Sequence, residues 1–143
     1  MINLKKTAVI NITSFGREFP EHLQELEERV GPVDKMLLRA DMDGKTLAQQ
    51  LKGYTYVLLG NYPTFDEEFF SRNTDVKLIA RHGIGFNNVD LESSRKYGVY
   101  VTHIQNYVEL DAVAEQAAAL LMAVSKNVVI ANQKVHQGDW NKD

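Results

Sequence analysis

Short apolar, β-branched runs alternate along this chain with charged segments in which apolar residues recur at helical spacing. Thr7 to Ile12 reads as a first strand buried on both faces. After Pro20, the residues Leu23, Leu26 and Val30 fall three or four apart until Gly31-Pro32, which predicts an amphipathic helix with a sharp stop. Val33 to Leu38 is a second strand, Thr46 to Leu51 a short helix ended near Gly53, and Tyr56 to Leu59 a third strand. Asp66 to Phe70 gives another helix and Val76 to Ala80 a fourth strand. Leu91 to Tyr97 is a helix stopped by Gly98, and Val99 to Val101 a fifth strand. Strict alternation demands right-handed crossovers with helices on both faces, so the pattern predicts a flavodoxin-like, doubly wound, parallel five-stranded α/β sheet.

The final stretch breaks that rhythm. Asp111 to Val135 holds no Gly or Pro and is rich in Ala, which predicts one long helix. Between Ala112 and Ala123 it is apolar on nearly every side apart from Glu115 and Gln116, so one face is expected to meet a second domain or a second chain. The expected division is therefore 1–110 for the sheet domain and 111–143 for a long hinge helix and the start of a linker. Self-association, as a homodimer through this helix, is expected.

Composition narrows the class. A chain of 143 residues, 44% hydrophobic and 24% charged, suits one globular core. The net charge of -3 with interspersed signs offers no basic stripe for nucleic acid and no polybasic membrane anchor. There is no cysteine for disulfides or thiolate metal sites, and no apolar run reaches the roughly 18 residues of a membrane span. Met1 to Lys6 lacks the apolar core of a signal peptide, so a cytoplasmic protein is expected.

The chemistry concentrates in Arg81-His-Gly-Ile-Gly-Phe-Asn-Asn-Val-Asp90, which leaves the C-terminal end of the fourth strand, the edge where parallel sheets bind ligands. Two glycines one residue apart let backbone approach a ligand, and free amides in such a turn can hold a carboxylate. The plainer reading is that Gly83 and Gly85 only shape a tight turn while Asn88 or Asp90 caps the next helix. By spacing alone both remain open.

The segment Lys77-Leu-Ile-Ala-Arg-His-Gly-Ile-Gly-Phe-Asn-Asn-Val-Asp-Leu91 resembles the substrate-loop signature of the D-2-hydroxyacid dehydrogenases. Tyr97-Gly-Val-Tyr-Val-Thr102, Ala112-Val-Ala-Glu115 and His136-Gln-Gly-Asp-Trp-Asn-Lys142 follow the same family's order and approximate spacing. The resemblance covers roughly residues 55 to 143, with the first fifty agreeing only in element order. It implies a small 2-hydroxy or 2-keto acid as substrate and NAD as cofactor. It implies that the backbone of His82, Gly83, Ile84 and Gly85 holds the substrate carboxylate, and that Ile84 also approaches the cofactor.

Two departures qualify this. Gly60 and Asn61 stand where phosphoglycerate dehydrogenases of the family carry an Arg-Ser pair, which removes a bidentate partner and implies that Asn61 meets a substrate without a phosphate. His103-Ile-Gln-Asn-Tyr-Val-Glu109 replaces the family's Asn-x-Pro-Gly run on the nicotinamide side. This leaves a cofactor role for Asn106, and any role for His103 and Tyr107, to be tested. Trp140 matches a family Gly-x-Trp ahead of the nucleotide-binding domain, although a lone Trp near a chain end is most often a packing anchor.

No Gly-x-Gly-x-x-Gly with an acidic residue about 20 positions on occurs in the sequence, so the dinucleotide-binding domain is expected to be absent. The family's catalytic arginine, glutamate and histidine would lie beyond it. No catalytic or metal-binding residue is therefore assigned, and His82, His103 and His136 are read as structural or surface residues. The chain alone is expected to be inactive. A stand-alone flavodoxin-like binding or dimerisation module is the alternative. A phosphoacceptor receiver is disfavoured because Leu59-Gly-Asn61 lacks its aspartate, and a flavin site because Thr13-Ser-Phe-Gly16 is too poor in free amides.

Overall fold

The computed structural model describes residues 5–105 and 108–140. It divides into two compact units, Met1–Gln105 and Asn106–Asp143. The first unit contains strands β1 (Lys6–Ile10), β2 (Val33–Met36), β3 (Tyr54–Leu59), β4 (Leu78–Arg81) and β5 (Tyr100–His103). Between them run helices α1 (Pro20–Val30), α2 (Gly44–Gln50), α3 (Glu67–Arg72) and α4 (Leu91–Lys96). The strands form one parallel sheet in the order β2-β1-β3-β4-β5. This is the doubly wound order expected from the alternation, and the winding reverses between β1 and β3.

The core explains why the apolar runs pair as they do. Ala8, Ile10, Val57, Leu59 and Ile79 of the central strands are buried with Leu47 and Leu51, and with Phe65, Phe69 and Phe70 around α3. Phe69 meets Phe65 and Phe70 edge to face, with ring centroids 4.5 and 5.2 Å away. Each such ring contributes on the order of 1.5–3 kcal/mol by leaving water. Edge strands β2 and β5 expose Asp34, Lys35, Tyr100 and Thr102; the charges of Asp34 and Lys35 discourage further strand pairing at the β2 edge.

Three aspartates start helices as the sequence chemistry requires. Asp43 accepts from the Thr46 amide, Asp66 from Phe69, and Asp90 from Glu92 and Ser93, each satisfying donors that the first helical turn leaves unpaired. At Gly44 any Cβ would come within 2.1 Å of the Asp66 carboxylate, so this close approach of α2 to α3 requires glycine.

The second unit corrects one expectation. The helical stretch is two helices, α5 (Val108–Ser125) and α6 (Val128–His136), bent by 60° at the break between them. Asn127 adopts a left-handed conformation with φ 53°. Asparagine tolerates this conformation better than other side chains do, so the helix is interrupted without Gly or Pro. Among the described residues no single helix is long and apolar enough to cross a membrane, and only this bent pair meets the length and composition together. Leu121, Val124 and Trp140 are 71%, 76% and 73% exposed.

Candidate functional site

Strand register brings the ends of the strands level. Met36 pairs with Ile10, Ile10 with Leu59, Leu59 with Arg81 and Arg81 with His103, so the loops that follow share one edge of the sheet. At the reversal between β1 and β3 the crevice is closed by protein. Asn11, at φ 54°, donates from Nδ2 to the carbonyls of Leu38 (3.1 Å) and Tyr62 (2.8 Å), and its Oδ1 accepts from the Leu38 amide. The Gly60 amide donates to Ile10, and a Cβ at Gly60 would lie 2.4 Å from the Asn11 carbonyl oxygen.

The open space lies one strand over. A cavity of about 320 Å³ is lined by Asn61, Thr64, Arg81, Gly85, Asn87 and Asn88. Arg81 is the single charged residue among these six. Its guanidinium donates from Nη2 to Asn61 Oδ1 and from Nη1 to the His82 carbonyl. It also fills the space that a Cβ on Gly83 would take, 2.5 Å from Nη1. Asn88 closes the floor by donating to the carbonyls of Gly60 and Pro63, and the Phe65 amide donates in turn to the Asn88 carbonyl. Asp90, not Asn88, caps α4. Its carboxyl is held below the usual carboxylate range by hydrogen bonds from the Ser93 hydroxyl and amide and from the Glu92 amide.

The glycine turn is used unevenly. The His82 amide donates to Leu59 (2.8 Å) and the Gly83 amide to Arg81 (3.0 Å), so neither is free for a ligand. The amides of Ile84 and Gly85 have no partner among the described residues. On the far side, the Gly83 carbonyl accepts from the Ile104 amide (3.1 Å). The Ile84 carbonyl lies 3.0 Å from His103 Nδ1. The His103 ring sits 5.1 Å from that of Phe86. Asn106 and Tyr107 lie outside the described residues.

The structure brings Asn61, His82, Gly83, Ile84 and Gly85 to one edge of the sheet, with Arg81 and Thr64 beside them; the expected carboxylate contacts from the His82 and Gly83 amides are not available, because both amides are bonded within the domain. The sequence signal for Arg81 is its place two residues before Gly83, just past the predicted end of the fourth strand at Ala80; the structure makes it the last residue of β4. Among the described residues no group of three or more His, Asp or Glu could hold a metal ion.

Residues 10–138 match the model of the D-isomer specific 2-hydroxyacid dehydrogenase catalytic domain. A glyoxylate reductase of Thermococcus litoralis is 39% identical over 77 residues, covering 54% of this chain and 23% of that protein. A glyoxylate reductase of Korarchaeum cryptofilum is 30% identical over 125 residues, covering 87% of this chain and 37% of that protein. The pyruvate reductase of Chlamydomonas reinhardtii superposes with a TM-score of 0.71 at 25% identity, covering 98% of this chain and 40% of that one. Apo D-lactate dehydrogenase of Escherichia coli gives 0.69 at 25% identity, with 95% and 42% covered. The chain thus spans less than half the length of these relatives.

Proposed function

The chain belongs to the D-isomer specific 2-hydroxyacid dehydrogenase family, and from that premise we propose that it binds the organic acid in the NAD-dependent interconversion of a D-2-hydroxy acid and its 2-keto acid. The observation that carries this reading is the pair of amides at Ile84 and Gly85 that have no partner among the described residues, in a turn next to a cavity lined in part by Arg81. Amides and a guanidinium converging on one space suit a carboxylate. Arg81 is the one cation among the described lining residues, which favours a substrate with one acidic group and no phosphate, such as a small 2-keto acid.

The residues in hand do not provide for the whole cofactor. The chain has no diphosphate cradle of the Gly-x-Gly-x-x-Gly kind, and the turn after β1, where the first glycine-rich loop of such a fold would lie, is crossed by the Asn11 ties. NAD is accordingly proposed to be held by a separate domain, with Ile84 and Asn106 as its points of approach here. The chain's own part is to bind and orient the acid, in the cytoplasm, without turnover by itself.

The test is keto-acid-dependent oxidation of NADH. The 143-residue chain with glyoxylate or pyruvate should give none, and the same polypeptide continued through a dinucleotide-binding domain should give turnover. Activity in the chain alone would overturn this division of labour.

A second reading, a self-associating module, is favoured by the exposed Leu120, Leu121, Met122, Val124, Val129 and Ile130 of α5 and α6. Size-exclusion chromatography at several concentrations separates the two: a tight dimer without acid binding supports the module.

A further inference from the structure

We infer that His103 is a positioning residue for the substrate carboxylate: its imidazole sets the direction of the Gly85 N–H. The inference rests on the reading that the turn after β4 holds that carboxylate. In a trans peptide unit the carbonyl and the following N–H point to opposite sides. The Gly83 carbonyl is held by the Ile104 amide of the chain leaving β5, so the Ile84 N–H points away from β5. The Ile84 carbonyl is held in the same way by His103 Nδ1, so the Gly85 N–H also points away from β5. Because β4 lies between β3 and β5, that direction leads to the β3 side, where Asn61, Thr64 and Arg81 line the cavity with Gly85.

The two holds differ in kind. The bond from Ile104 is backbone and does not depend on a side chain, whereas the hold on the Ile84–Gly85 peptide depends on residue 103. Gly85 meets no neighbour within 4 Å of a Cβ position, and glycine adopts most backbone conformations at little cost, so this peptide turns over readily once released. A carbonyl can only accept, which requires the proton on Nδ1. Phe86 packs against the ring and helps hold it there. Asparagine at position 103 would set its Nδ2 donor about where Nδ1 of the histidine lies.

The test uses this chain, glyoxylate as probe, and two variants followed by amide NMR. His103→Phe keeps the ring but removes the donor, and His103→Asn keeps a donor but removes the ring. In His103→Phe without ligand, the Gly85 amide signal should move while that of Ile84, fixed by Ile104, stays. Its half-saturating glyoxylate should rise about tenfold, the scale of one hydrogen bond to a charged group's binding site. His103→Asn should remain within about twofold of wild type.

Equal binding in His103→Phe and wild type, or joint movement of both amides, overturns the inference. So does wild-type imidazole carrying its proton only on Nε2, which nitrogen-15 shifts report even if His103→Phe fails to fold. If wild type binds no glyoxylate, the proposed function falls, and the comparison of Gly85 with Ile84 still decides the role of His103.

Discussion

The Arg81 guanidinium donates to Oδ1 of Asn61, tying the end of β4 to the loop after β3 across 20 positions of sequence. Arg81 is the one charged residue among the described residues that line the cavity, so an acid entering it meets that guanidinium. Asn61→Asp keeps the size and the acceptor but adds a carboxylate against that cation. Acid binding is expected to weaken about tenfold as the added carboxylate competes with the ligand for that guanidinium, while thermal stability changes little because Asn61 is exposed. Isothermal titration with glyoxylate checks the first, and a melting curve the second.

Gly83 and Gly85 are expected to respond in opposite ways to the same change. Gly83 has φ 155° and its missing Cβ space is taken by Arg81, so Gly83→Ala should cost about 1–3 kcal/mol of stability by denaturant titration. Gly85 meets nothing within 4 Å. Gly85→Ala should leave the unfolding midpoint nearly unchanged and weaken acid binding by putting a methyl where the ligand approaches.

Acid should loosen the start of α4 through Asp90. Its carboxyl is held below the ordinary value by bonds from Ser93 and Glu92, so the folded state favours the ionised form. The stability this contributes is present above the unfolded carboxyl's value of about 3.9 and is lost as pH falls through the lower folded value. Urea midpoints of wild type and Asp90→Ala should therefore differ at neutral pH and converge only below about pH 4. Convergence already at pH 6 would mean that the cap contributes nothing through its charge.

Much of this was legible from local chemistry. The alternation of runs such as Thr7 to Ile12 with Leu23, Leu26 and Val30 carries the doubly wound order, because buried strands and amphipathic helices have different periods. The glycine turn at Gly83 and Gly85 was legible for the same reason, being a short-range demand on backbone. Contacts between distant positions were not. Nothing near Asn61 announces Arg81, and nothing near His103 announces the Ile84 carbonyl 19 positions away. The break at Asn127 was missed because asparagine reads as an acceptable helix residue, and its left-handed conformation shows only in the folded chain.

Self-association is expected to follow the apolar side chains of the second unit. Leu120, Ala123, Val124, Val129 and Ile130 line a cavity of about 260 Å³, and Val124 is largely exposed. Sedimentation should show mass rising with concentration, and Val124→Glu should shift the chain toward monomer by placing a charge in that surface. Unchanged mass in the variant would remove α5 from the contact.

An organic acid is proposed to dock on the amides of Ile84 and Gly85 beside Arg81. Titrating glyoxylate into the wild-type chain, with glycolaldehyde as the control lacking a carboxylate, tests it by amide NMR. Saturable shifts are expected at Ile84, Gly85 and the Arg81 side chain with glyoxylate and none with glycolaldehyde. Shifts confined to the separate groove of about 410 Å³ bordered by Lys45, Lys52 and Arg72, or no shift at the turn, would contradict it.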